Sequence, residues 1–216
     1  YNDVLMEQLA DTGNGRYAFV DALPEARRIF VEELTGTLLT LGFDAKAQVE
    51  FNPDVVARYR LFGYENRDIA DERFRDPTVD AGEIGAGHSV TALYEIKLHP
   101  GAATGTTTRN VATLRFRYRP VGAEKAVEME RALELRDLAP GWEASSPSLK
   151  LATLVAEYAE ILKGSYWARS GDLREVLRCA QILSPEFAGD ARMADFVSLV
   201  AAAADLHGER EPVEDE

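Results

Sequence analysis

Residues 112–135 read ATLRFRYRPVGAEKAVEMERALEL, with an alternating run on either side of a turn. The large apolar side chains of the first run occupy every second position: Leu114, Phe116 and Tyr118. Because successive side chains of a strand point to opposite faces, the pattern predicts strands over 112–119 and 125–135. Pairing about the turn places Arg117 near Glu128, and opposite charges across a strand pair stabilise a sheet. We therefore expect an antiparallel hairpin.

Three earlier segments repeat the period of two. They are AKAQVEF, VARYRLFGY and HSVTALYEIKL, at 45–51, 56–64 and 88–98. Together with the hairpin they make at least five strands, and most of them alternate apolar with polar residues, as antiparallel sheets with one solvated face do. The sequence therefore predicts an antiparallel β-sandwich over residues 44–140.

The residues before the sandwich, 1–43, have the pattern of a helix–strand–helix unit. A short helix is expected at 2–12, a short buried strand at 16–21 and a long helix at 23–42. Gly42 is placed where a helix commonly ends. A lone strand has unpaired edges, so this unit is expected to be the remnant of a larger domain.

The residues after the sandwich return to a helical period, and the predicted fold class is therefore α+β. Three amphipathic helices make up a helical segment over 141–207, at 148–165, 172–183 and 191–206. Asp172 and Asp190 precede the last two helices, where their carboxylates can accept hydrogen bonds from the first free backbone amides. An acidic tail, 208–216, follows.

Composition excludes several classes of function. The chain has 216 residues and a formal net charge of −13, so it lacks the positive field that nucleic-acid binding or adhesion to anionic lipid requires. Its one cysteine, Cys179, excludes an intrachain disulfide, and it lies in a helical pattern that indicates a buried, inert thiol. The chain opens on Tyr1 rather than Met, from which we expect a fragment of a longer protein.

The glycine-rich stretch AGEIGAGHSVTALYEI, 81–96, contains the candidate catalytic group. A phosphate loop needs its glycines between a strand and a helix N-terminus, whereas these precede a predicted strand. Turn glycines are the better interpretation, and we expect no catalytic residue here. The alternative is a hydrolase-type enzyme that uses His88 as general base with Asp80 or Glu83 as its orienting carboxylate.

Several stretches together resemble one family. YNDVLMEQLADTGNGRYAFVD and LPEARRIFVEEL resemble the closing helix, last strand and last helix of a bacterial von Willebrand factor type A domain. AQVEFNP, YRLFGYENR and GEIGAGHSVTALYEI resemble the region that follows this domain in bacterial surface or envelope proteins of the YfbK-like type. The C-terminal helices resemble the last part of the same proteins.

The resemblance implies a non-enzymatic, protein-interaction or scaffolding region of a bacterial cell-envelope protein. That protein is expected to be periplasmic or a lipoprotein, with any membrane anchor outside this chain. In the family, the A domain binds a divalent cation through a DxSxS motif, which this sequence lacks. Mg²⁺ is therefore expected only in the missing part of the A domain, and no metal ligand or other cofactor is assigned here. The protein partner is unknown.

Two hypotheses follow from this organisation. Helix 23–42 is expected to couple ligand occupancy of the A domain to the orientation of the sandwich. Strand 16–21 lacks the parallel sheet that would cover it, so its apolar residues form a candidate interaction surface and a route to a homodimer. Those residues are Tyr17, Phe19 and Val20.

Overall fold

The computed structural model describes residues 2–13, 15, 17–32, 39–62, 71–76, 78–79, 81–87, 89–102 and 108–208. Within them it contains helices and antiparallel sheets, which confirms the predicted α+β class. The helices are α1 Asp3–Thr12, α2 Leu23–Arg27, α3 Pro147–Lys163, α4 Leu173–Leu183 and α5 Ala191–Gly208. The strands are β1 Thr40–Phe51, β2 Val56–Leu61, β3 Gly82–Gly85, β4 Tyr94–Leu98, β5 Asn110–Pro120 and β6 Val127–Glu134.

The strands form two sheets. Four lie side by side in the order β3-β1-β5-β6, and β2 pairs with β4 antiparallel. The chain also divides into two compact units. The first unit comprises residues 1–48, 71–90 and 115–129, and the second comprises 49–70, 91–114 and 130–216. The domain boundaries predicted from the sequence stay predictions.

In the second unit, strands of both sheets share one apolar core. Val55, Val111 and Leu135 are fully buried there, and Ile96 and Leu98 of β4 pack against them. Because side chains from β2 and β4 meet side chains from β5 and the end of β6, the two sheets are layered in this unit as the sandwich interpretation requires.

The three C-terminal helices of the second unit have a core of their own. Its buried members are Leu154, Tyr158, Leu173, Val176, Ala180, Leu183, Met193, Val200 and Ala204. The predicted caps are confirmed: Asp172 accepts from the amide of Arg174 at 2.8 Å, and Asp190 accepts from the amide of Arg192 at 3.0 Å. These bonds satisfy backbone donors that would otherwise be free at the start of α4 and α5.

The predicted strand 16–21 is wrong over the described part of that segment. Residues 17–21 lie in neither helix nor strand, and the side chains of Phe19 and Val20 are 56% and 42% exposed. A buried strand needs a paired neighbour, and the described residues supply none for this segment. Arg16 lies outside the described residues.

The predicted helix 23–42 is also wrong in its extent. Helix α2 ends at Arg27, a π-helical turn follows over Arg28–Glu32, and residues 39–42 lead into and begin β1. Residues 33–38 lie outside the described part of the chain. The backbone at this position is held by β3, since Gly42 is the register partner of Ile84.

Gly42 has a packing role instead of ending a helix. A Cβ atom at this position would lie 2.6 Å from Cδ2 of Tyr118 on β5, a distance at which one of the two groups has to shift. Glycine therefore allows the aromatic ring to lie against the β1 backbone.

The glycine-rich stretch contains a strand that the sequence did not indicate. Residues Gly82–Gly85 form β3, and the turn after it contains Gly87 with a φ of +77°. The next strand, β4, begins only at Tyr94, so the prediction of a strand from residue 88 is wrong at its start.

The predicted ion pair of the hairpin is confirmed, with Arg117 Nη1 lying 3.7 Å from Glu128 Oε2.

Candidate functional site

The residues predicted to form an interaction surface lie in the first unit. Phe19 and Val20 are exposed, whereas Tyr17 is half-buried and its hydroxyl donates to Asp3 Oδ1 at 2.6 Å. Tyr17 is therefore anchored to α1, and the exposed part of this segment is smaller than predicted. A homodimer through residues 16–21 stays a prediction.

The structure leaves the hydrolase alternative as a prediction. His88 and Asp80 lie outside the described residues, and Glu83 is an exposed residue of β3. Over the residues that the structure describes, no group of three or more His, Cys, Asp and Glu side chains is placed to hold a metal ion.

Burial raises the pKa of the Cys179 thiol, and the Glu175 carboxylate adds to this effect. A thiol that stays protonated is a poor nucleophile.

An exposed aromatic pair in the second unit forms the principal candidate site. Local sequence places it there: Gly164 ends α3 with a φ of +68°, and Ser165 Oγ accepts from the amide of Trp167 at 3.3 Å. The resulting single helical turn, Tyr166–Ala168, presents both rings to solvent. Their side chains are 65% and 63% exposed, and the rings meet edge to face at 5.3 Å.

Arg60 of β2 ties this turn to the rest of the second unit. Its Nη1 donates to Glu160 Oε2 on α3 at 2.7 Å, and its Nη2 donates to Glu95 Oε2 on β4 at 2.9 Å. The guanidinium carbon lies 4.2 Å from the Phe62 ring centroid and 5.1 Å from that of Trp167. One cation on β2 therefore contacts β4, α3 and the aromatic turn.

The charges of this cluster are mutually stabilised. Burial disfavours the charge on Arg60, but the hydrogen bonds to Glu160 and Glu95 outweigh it and raise the Arg60 pKa. The same bond from Arg60 lowers the pKa of Glu160, with a second contribution from Ser165. The Glu160 side chain is 12% exposed, so its charge depends on this pairing.

A cavity of about 330 Å³ lies beside the aromatic pair. It is lined by Arg60, Leu61, Glu160, Lys163, Ser165, Tyr166 and Trp167, and we call the cavity and the two rings the aromatic surface. The ring of Trp167 is mostly exposed and does not belong to the core of the C-terminal helices. A sequence signal was available: two aromatics directly follow the Gly-Ser pair that ends a helix.

The first unit contains a second concave feature, which we call the charged cleft. Its volume is about 750 Å³, and it lies between β1, β5, the turn that joins β5 to β6, and the segment that includes Asp76. Four basic side chains line it: Lys46, Arg117, Arg119 and Lys125. None of these residues was selected from the sequence as a ligand-binding group.

No described helix has the length and apolar composition needed to cross a membrane. No solved structure matches this chain.

Comparison with known proteins gives one family and one curated relative. The family described as "Uncharacterized protein YfbK, C-terminal" matches residues 36–206. The uncharacterized protein YfbK of Escherichia coli (strain K12) is 33% identical over 219 aligned residues, which cover 94% of this chain and 37% of that protein. The chain thus spans little more than a third of that relative. The resemblance to the C-terminal region of YfbK-like proteins is confirmed, and the chain belongs to the YfbK C-terminal family.

Proposed function

We propose that this region is a non-enzymatic protein-interaction module, and that the aromatic surface is where its partner docks. The observation that carries the proposal is the exposure of Tyr166 and Trp167, at 65% and 63%, on a turn fixed by Arg60. Tyrosine, tryptophan and arginine are the residues most enriched at the energetic centres of protein interfaces. Large aromatic rings that face water without covering a core are what such a centre requires.

Preorganisation supports the same proposal. Arg60 is bonded to Glu160 and Glu95 and lies against the Trp167 ring, so the ring loses little freedom when a partner binds. Arg169 lies exposed with its guanidinium 4.4 Å from the Tyr166 centroid, which adds positive charge at the rim. The partner segment that fits has an apolar side chain for the rings and a carboxylate for this rim.

The wider setting of this module is also part of the proposal. We infer a bacterial cell-envelope protein with a von Willebrand factor type A domain, whose end would be residues 1–43 of this chain and whose part outside this chain binds Mg²⁺. Coupling between that domain and this module would pass through the segment before Thr40, because residues 42–45 lie within β1. Coupling is therefore tested by measuring protease cleavage of the segment before residue 40 in the full-length protein, with and without Mg²⁺. Equal cleavage in both conditions would contradict coupling.

The experiment compares two pairs of substitutions in the full-length protein. The variant Tyr166→Ser with Trp167→Ser removes the aromatic surface, and Phe19→Ser with Val20→Ser removes the other exposed apolar pair. Co-purification of a partner should be lost at least tenfold in the first variant and retained in the second. Light scattering on the same samples reports the homodimer, which only the second variant should weaken. Equal loss of the partner in both variants would overturn the assignment of the aromatic surface.

A further inference from the structure

The charged cleft of the first unit contains a lysine that is almost completely buried. Lys46 on β1 is 4% exposed, and its Nζ donates to the backbone carbonyl of Asp76 at 2.6 Å. An ammonium has three donors, and no second hydrogen-bond partner of Lys46 is found in the part of the chain that the structure describes. Burying a charge with one neutral partner is costly, and a bound anion would offset that cost.

The acidic side chains near the cleft are largely engaged by other groups. Asp44 accepts from Arg119, with Oδ2 lying 3.1 Å from both Nε and Nη2. Asp76 accepts from the amide and hydroxyl of Thr78 at 2.9 and 2.6 Å. Asp44 is therefore paired with Arg119, and Asp76 Oδ2 lies 3.6 Å from Arg73 Nε. Neither carboxylate forms an ion pair with Lys46 over the residues that the structure describes.

Two further cations of the cleft retain donor capacity. Glu128, the acid nearest to Arg117, binds Arg75 at 2.6 Å and lies 3.7 Å from Arg117. Lys125 has no ion pair among the described residues. The lining as a whole has four basic side chains (Lys46, Arg117, Arg119 and Lys125) and three acidic ones (Asp44, Asp76 and Glu124), which leaves a local surplus of one positive charge on a chain of net charge −13.

Backbone geometry fixes the wall of the cleft. Between Gly42 and Ala45 the register of β1 against β3 shifts by one residue, and Asp44 has a φ of +57°. Such a β-bulge re-aims side chains and is frequent next to binding sites. Lys46 follows Asp44 by two residues, so both line the cleft.

We propose that the charged cleft binds the phosphate group of a small molecule. Lys with Arg is the donor set that phosphate prefers, and a phosphate group offers three acceptor oxygens to donors from several side chains, where a carboxylate offers two. An extended polyanion such as nucleic acid is disfavoured, because the net charge of −13 repels it. The same phosphate group could come from a soluble phosphomonoester or from the headgroup of a single phosphatidic acid molecule held in the cleft, since the net charge of −13 supports no general adhesion to anionic lipid.

The test measures thermal stability and amide chemical shifts of the full chain during titration with inorganic phosphate, with glycerol phosphate or with vesicles that contain phosphatidic acid. Ionic strength is held constant with chloride. Saturating inorganic phosphate, at about ten times its dissociation constant, should raise Tm by about 3–6 °C. Shift changes should concentrate at residues 44–46, 117–119 and 124–126. The soluble and vesicle arms differ only in the source of the phosphate group, and a saturable response in either supports the proposal.

Variants distinguish a specific phosphate site in the charged cleft from a general effect of charge. Arg117→Gln and Lys125→Gln should each weaken phosphate binding about tenfold, whereas Lys97→Gln on β4 should leave it unchanged. Lys46→Met should abolish the response while Tm without phosphate stays equal or rises, because a buried charge is removed. The proposal is overturned if phosphate stabilises no more than chloride, or if Lys46→Met folds and still responds fully.

Discussion

Replacement of Arg60 by Met tests how the aromatic surface is held. The substitution keeps the aliphatic stem and removes both ion pairs and both ring contacts. The bond to Glu160 dominates, because that carboxylate is 12% exposed, whereas Glu95 is 60% exposed. Leaving the Glu160 charge without its partner should cost about 2–3 kcal/mol, and the exposed pair with Glu95 at most about 1 kcal/mol.

The expected total for Arg60→Met is about 3 kcal/mol, which corresponds to a loss of about 6–12 °C in Tm for a chain of this size. Urea unfolding followed by circular dichroism measures the free energy, and tryptophan emission reports the Trp167 ring directly. Loss of the guanidinium 5.1 Å from that ring should change its emission, with Trp142→Phe as the background that isolates it.

Two matched variants make the prediction refutable. Glu160→Gln should cost about 1–2 kcal/mol and Glu95→Gln less than about 0.5 kcal/mol, because only the former changes a carboxylate withdrawn from water. A double-mutant cycle between Arg60→Met and Glu160→Gln should give a coupling energy above about 1 kcal/mol. A cost for Arg60→Met below about 0.5 kcal/mol, or equal costs at Glu95 and Glu160, would refute the reasoning.

Three further changes have defined outcomes. Gly42→Ala should destabilise the chain by about 1–3 kcal/mol, because its Cβ would lie 2.6 Å from the Tyr118 ring. Urea unfolding measures this free energy, and no change in it would contradict the packing role of Gly42. The pKa of Glu160 is lowered in the folded chain, so its contribution to stability is complete above the unfolded value near 4.5 and is lost as pH falls through the folded value. Between pH 7 and pH 3 the free energy of unfolding should therefore fall less steeply in Glu160→Gln than in the unsubstituted chain. The same slope in both proteins would contradict this. Asp172→Ala should cost about 1 kcal/mol through loss of its bond to the Arg174 amide, whereas the exposed Asp205→Ala on α5 should cost less; equal losses of Tm would contradict the cap.

The elements that the sequence predicted well are those specified by near neighbours. The hairpin around 112–135 depends on alternation and a turn, and its ion pair between Arg117 and Glu128 joins residues close in the chain. The helices α4 and α5 begin at Asp172 and Asp190, whose side chains bond the amide two residues ahead. Local chemistry is sufficient for such features.

The elements that the sequence missed depend on distant partners. The run TLLTLG, 37–42, has apolar spacing that fits a helix or a strand, and pairing of its last residues with β3 favours the strand. Strand β3 itself is short and glycine-rich, so no apolar alternation indicates it. The aromatic surface depends on a bond between Arg60 and Glu160, which lie 100 residues apart, and the charged cleft depends on similarly distant contacts.

Site-specific crosslinking tests the proposed function most directly. A photoreactive side chain is placed at Trp167 or, as the matched control, at Trp142, which is the other tryptophan and is 41% exposed. In the full-length protein in cells, position 167 should give a discrete crosslinked protein that excess unmodified chain competes away, and position 142 should not. Absence of a competed crosslink at 167, or the same product from both positions, would contradict a protein-docking role for the aromatic surface.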